Sequence, residues 1–342
     1  MMLAALVTLA AVQEPTTLRL IEVAPAETVA VHELGYGDAI VIVPGLLGSA
    51  YGFRHIMPQL ADAGFRVIVV DMLGTGSSNA PEKADYSLTA QAERVLIATR
   101  ILGIERAVHV CHAIGGSVCY RMALREPDRI ASILSINGGP AEQLATPGMK
   151  SALKFAPLIK LFGGTGRVRS KVREGMIKSS YDPSWVTDSV VAGYTAHYSQ
   201  GVGHVLGTLK RMVNAKEPAA LAPGIPQISL PVRVMIGSGS TTGAMTPDDI
   251  TSLQALPALA LDSVASAGQY IHEERPALVV AAVLESARTA QTAAAGASPA
   301  SGWPKPVRTA ADTVRQVARA PREPQDSRAP WFARTLRSAP PR

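Results

Sequence analysis

Cysteine is almost missing from this chain: Cys111 and Cys119 are the only two among 342 residues. They lie eight positions apart, one in a strand-like and one in a helix-like stretch. That gives no disulfide framework and says little about redox compartment. They read as small buried apolar residues. Aromatic side chains are scarce too, at 5%. The apolar run Leu3–Val12 is too short to span a bilayer, so no transmembrane helix is expected. It resembles the central part of a secretory signal, yet no Lys or Arg precedes it and no A-x-A site follows. Residues 1–16 therefore read either as a signal segment or as the result of a misassigned start codon. Localisation stays open between cytoplasm and export.

Charge is also lacking over most of the chain. The net charge is +6, but the residues from Arg288 onward hold ten Lys/Arg against three acids. The body before them is close to neutral. With no recognition motif, that body gives no reason to expect nucleic acid. Only the stretch 290–342 carries a field that would attract an acidic partner.

Hydrophobic residues make up 47% of the chain, enough for one large core or two modest ones. Short strands are expected at TLRLIEVA (17–24) and TVAVHEL (28–34). Runs that are apolar throughout follow at AIVIVPG (39–45), FRVIVVD (65–71), RAVHVC (106–111) and RIASILSING (129–138). Helical stretches alternate with them at 53–64, 87–103 and 115–127. Strands of this kind belong to a parallel sheet covered on both faces. The alternation breaks at about 141 and resumes with LPVRVMIG (230–237), ALALDSVAS (258–266) and a helix from about Glu274 to Thr289. The expected organisation is an α/β core over 17–140 and 229–289, with a helical cap or lid over 141–228. Beyond it, residues 290–342 form a basic Ala/Pro/Arg-rich tail expected to be disordered. Trp303, Trp331 and Phe332 in that tail are either partner anchors or incidental.

The stretch HVCHAIGGS (109–117) has the frame of a nucleophile elbow, G-x-S-x-G, where a strand turns sharply into a helix. Three further motifs follow the same family order. VPGLLGS (43–49) sits where an H-G-x-x-G oxyanion loop belongs, with Pro44 in place of the histidine. DMLGTGSS (71–78) matches D-x-x-G-x-G-x-S. SAGQYIHEERP (266–276) matches G-H-x-x-x-x-E-x-P. Over residues 28–285 the chain resembles the α/β-hydrolase fold family, in its cap-bearing subgroup of epoxide hydrolase, haloperoxidase and lactonase relatives. The resemblance implies a mostly parallel central sheet with helices on both faces and a helical cap insertion.

It also implies a Ser-His-Asp triad, and here the residues depart from it. Ala113 stands at the nucleophile position, Gln269 at the histidine position and Ser240 at the acid position. A methyl group has no lone pair to attack with, and an amide neither takes nor returns a proton near neutral pH. Neighbours offer little replacement. His272 is expected to start the last helix with its ring turned away, and Asp248 and Asp249 to cap a helix. Cys111 lacks an obvious base. His112 is expected to face away from the elbow, and Ser117 to lie within the core. His197 and His204, seven apart, would share a helix face, but no third ligand at a convincing spacing supports a metal.

The binding apparatus is retained. The resemblance places the oxyanion and ligand-binding site at Leu46, Ile114, Gly45 and Gly115, with the backbone N–H groups of Leu46 and Ile114 as donors and Gly115 and Gly116 keeping the turn tight. Phe155, Phe162, Tyr181, Trp185, Tyr194 and Tyr198 are available to a pocket under the cap or to cap–core packing. No cofactor is called for. Three functions follow. One is a hydrolase-fold protein without catalysis that binds a small apolar ester, lactone or acid, or serves as a subunit of a larger assembly. The second is a weak hydrolase or lyase using the retained oxyanion hole. The third is an interaction module whose protein partner docks on residues 290–342.

Overall fold

The computed structural model describes residues 16–46, 48–144, 165–197, 201–239 and 245–296. Ser240, Phe155, Phe162, Tyr198, residues 1–15 and residues 297–342 lie outside these. Eight strands form one sheet: β1 (Thr17–Ala24), β2 (Glu27–Leu34), β3 (Asp38–Val43), β4 (Phe65–Asp71), β5 (Ala107–His112), β6 (Ile130–Ile136), β7 (Val232–Gly237) and β8 (Leu259–Val264). Their order is β1-β2-β4-β3-β5-β6-β7-β8. From β4 to β8 every pairing is parallel, while β1–β2 and β2–β4 are antiparallel. The first hairpin has a physical cause. Only Pro25 and Ala26 separate β1 from β2, and so short a link allows only antiparallel pairing.

Alternation along each strand builds two cores. Val41, Val43, Ile68, Val70 and Ile133 face helices α2 (Leu88–Ile101) and α3 (Gly115–Arg125). Ile40, Ile42, Val67, Val69 and Leu134 face α1 (Met57–Asp62) and the long C-terminal helix. Between β6 and β7 lie α4 (Thr165–Ser179), α5 (Asp188–Tyr194) and α6 (Val202–Asn214). After β7 come α7 (Pro247–Leu253), the short α8 (Ile271–Glu274) and α9 (Pro276–Gly296). Among the described residues no helix is long and apolar enough to cross a membrane.

Two expectations are corrected. The last helix runs to Gly296, seven residues past Thr289, because the alanines of AQTAAAG favour helix more than any other residue type. His197 and His204 do not share a helix: α5 ends at Tyr194, and Gly201, with φ of 100°, starts a new one.

Candidate functional site

The chain runs from β3 to β4 on one side and to β5 on the other. The sheet order therefore reverses between β3 and β5, and the crevice beyond their C-terminal ends is where ligands dock in open α/β sheets. Pro44, Gly45 and Leu46 leave β3 there, and Ala113 leaves β5 for α3. Ala113 sits in the left-handed region with φ of 50°. The chain turns so tightly that a Cβ on Gly115 would lie 2.5 Å from the Val43 carbonyl oxygen, which only glycine avoids. Left-handed backbone costs an alanine about 1–2 kcal/mol. Ala113→Gly is thus expected to stabilise by about 0.5–1 kcal/mol after the entropy of the freer unfolded chain is subtracted. Ala281→Gly in the middle of α9 should cost about 1 kcal/mol. Opposite shifts in urea midpoint for the two variants check this.

A cavity of about 620 Å³ opens above the crevice. Gly45, Leu46, Ala113 and Gln269 line it. Ile114 and Gly115 follow Ala113 at the start of α3 and are not part of the lining. Among the described residues, neither the Leu46 nor the Ile114 N–H has a hydrogen-bond acceptor. The lining is mainly apolar, with Leu206, Leu209, Val172, Met176, Phe53 and Tyr270 contributing.

Two histidines set aside on sequence grounds lie in this pocket. His112 reaches it because strand alternation ends at β5: the left-handed turn at Ala113 swings the chain, and both residues face the crevice. Its Nε2 donates to the Gln269 carbonyl oxygen at 3.1 Å, which leaves Nδ1 as a lone pair. His272 lies in α8, not at the start of the last helix. Arg275 breaks the helix after Glu274, and the ring turns inward to stack on Phe53 at 4.9 Å. The two imidazole centroids are 4.4 Å apart. Burial lowers the His112 pKa to about 4 and holds His272 well below its usual value, the latter helped by His112, Arg54 and His55. Both rings are neutral at physiological pH. His272 Nδ1 and Gln269 Oε1 are buried without a partner among the described residues.

The loops around the pocket are tied by residues that the motifs did not single out. Asn137 follows β6 with φ of 48°. Its Nδ2 donates to the carbonyls of Gly268 (3.0 Å) and Gln269 (3.2 Å), and its Oδ1 accepts from Gly237 N–H. Glu274, the motif glutamate, accepts from the backbone N–H groups of Gly268, Tyr181 and Asp182. This explains why that part of the motif persists beside Gln269: it shapes the loop whatever the chemistry. Glu273 faces Arg54 bidentately at 2.6 and 2.9 Å and accepts from Tyr194 Oη at 2.7 Å. Tyr194 also lines the pocket, and Trp185 packs against Tyr270 at 5.2 Å. Tyr181 is exposed.

The other candidates have structural partners. Ser117 Oγ donates to the carbonyls of Gly139 and Ala141. Cys111 is fully buried, with Sγ 3.6 Å from the Leu134 carbonyl oxygen. Thr246, not Asp248, caps α7, and Asp249 completes the capping box.

A sequence profile of the alpha/beta hydrolase fold matches residues 38–164. This chain has the α/β-hydrolase fold. Among solved structures, the epoxide hydrolase CorEH shares that fold with a TM-score of 0.67 at 20% identity, covering 80% of this chain and 99% of its own. Bifunctional epoxide hydrolase 2 of Sus scrofa is 36% identical over 127 residues, which are 37% of this chain and 21% of that enzyme. The match therefore spans about a fifth of the relative's length. The magnesium-chelatase 30 kDa subunit of Rhodobacter capsulatus is 27% identical over 212 residues, 59% of this chain and 71% of that subunit.

Proposed function

We propose that this chain is a non-catalytic α/β-hydrolase-fold protein that binds a small apolar ester, lactone or acid-like ligand beneath helices α4–α6, which act as its cap. The observation that carries the reading is Ala113 at the apex of the strand–helix turn. Every acyl transfer in this fold needs a lone pair at that point, and a methyl group has none. Gln269 beside it cannot shuttle a proton, and by the resemblance Ser240 stands for the orienting acid. Binding does not depend on these side chains. The N–H groups of Leu46 and Ile114 are backbone donors, and the N-terminus of α3 favours a partial negative charge. A second reading, a subunit of a larger assembly, draws on the similarity to the magnesium-chelatase 30 kDa subunit.

The test is hydrolysis of short-chain aryl esters by the parent and by an Ala113→Ser, Ser240→Asp, Gln269→His variant. The parent is expected to show no turnover above buffer. The variant is expected to gain at least about 100-fold, since a working triad adds several orders of magnitude to what the oxyanion hole supplies alone. Multiple turnovers by the parent would sink the proposal and point to water activated at His112 or His272. Silence of both proteins would favour the subunit reading.

A further inference from the structure

The pocket floor holds acceptors that lack donors. The His112 ring is tied by one nitrogen: Nε2 donates to the Gln269 carbonyl oxygen, so Nδ1 keeps its lone pair. No described residue donates to that Nδ1. Gln269 Oε1 has no donor among the described residues either. Both side chains belong to the cavity lining. Gly45 keeps the Nδ1 edge open. Its φ is not left-handed, so the backbone does not demand glycine at this point. A Cβ there would stand 3.1 Å from His112 Nδ1 and 3.4 Å from the Ala113 Cβ, closing the space between them. The same point locates a donor. Covalent geometry holds the Leu46 nitrogen within about 3.7 Å of it, so Leu46 N and His112 Nδ1 are at most about 7 Å apart. The C=O and N–H on one edge of a carboxamide, each with a hydrogen bond of about 2.9 Å, bridge up to about 8 Å. Burial keeps His112 and His272 neutral, so Nδ1 is an acceptor and not a cation. A carboxylate would set lone pair against lone pair. An ester or ketone supplies the carbonyl alone and leaves the buried acceptors unmet.

We propose that the ligand is an apolar chain ending in a primary carboxamide. Its carbonyl oxygen accepts from the Leu46 and Ile114 N–H groups. One amide N–H donates to His112 Nδ1, and the other is available to the Gln269 side chain. The chain lies against Val172, Met176, Leu206 and Leu209 of the lining. This rests on the binding reading above for the pocket and its donors, and goes beyond it in the group beside the carbonyl.

Calorimetric titration of the full chain with octanamide, 2-nonanone and octanoate near neutral pH tests it. Octanamide and 2-nonanone share length, carbonyl and charge, and differ in NH2 against CH3. Octanamide is expected to bind at least about tenfold more tightly than either, although the ketone is the more apolar. With isotope-labelled histidine rings, octanamide should move the His112 Nδ1 resonance upfield and the ketone should leave it in place. Gly45→Ala, which sets a methyl group against Nδ1, should cut the octanamide advantage to under about threefold. A ketone or octanoate that binds as well as the amide overturns the inference and leaves the binding reading standing. An unmoved Nδ1 resonance with amide bound does the same, as does an advantage that persists in a folded Gly45→Ala variant. If none of the three binds the parent, the binding reading itself fails and the inference falls with it.

Discussion

Replacing Glu273 with alanine is expected to destabilise the protein by about 3–5 kcal/mol, the usual cost of removing one partner of a buried ion pair. The Glu273 side chain is 1% exposed and that of Arg54 10%. Burial raises the Glu273 pKa, and Arg54 and Tyr194 pull it only partly back. Burial alone would lower Arg54, but the facing carboxylate leaves it raised overall. Each charge is therefore tolerable only because of the other. Truncation leaves a guanidinium stacked 4.4 Å above the Tyr51 ring with no carboxylate, and a buried Tyr194 hydroxyl with no acceptor. Replacing both partners, Arg54→Met with Glu273→Leu, should recover most of the loss, because apolar isosteres of a buried pair are often neutral. Urea denaturation of the two single variants and the double variant measures the coupling. A single-variant loss under about 1 kcal/mol would mean the pair behaves as a solvated surface bridge.

That network was not legible in the sequence, and the reason is physical. β4 was readable to the residue because a strand buried on both faces is a run of β-branched side chains, as FRVIVVD is. The elbow was readable because its glycines answer a local steric demand, such as the 2.5 Å approach at Gly115. Arg54, Asn137, Tyr270 and His272 carry no such local signature. They come from three separate segments and meet only after the sheet is assembled. Strand alternation misplaces His112 because it stops at the left-handed turn of Ala113. Composition alone misplaces the end of α9, because alanines that build no core still make good helix. The identity of the triad positions was plain in the letters, whereas what surrounds Gln269 required the fold.

Stability is expected to fall steeply as pH drops from 7 toward 4. His109 and His112 are buried, and both have their pKa lowered to about 4, chiefly by desolvation. In the unfolded chain each would titrate near 6.5, so between these values the unfolded state binds protons that the native state refuses. The stability these neutral rings support is complete above about pH 6.5 and is lost as pH falls through the native pKa. At pH 5 the loss is about 2 kcal/mol for each of the two, or about 4 together. His272, lowered further still, acts in the same direction. Glu273 opposes them, because a carboxyl raised in the native state binds its proton more readily folded than unfolded. His55 and His197, also lowered to about 4 chiefly by burial, add to the loss, while Asp38, raised by burial, joins Glu273 against it. Two raised carboxyls do not offset five depressed imidazoles, and the loss takes a large part of a domain's margin of about 5–15 kcal/mol. Urea midpoints between pH 7 and 4.5 measure the slope, and His109→Gln, remote from the pocket lining, should remove about one proton's worth of it. A flat profile would mean the imidazoles titrate alike in the folded and unfolded chains, so that burial does not hold them neutral between about pH 4 and 6.5.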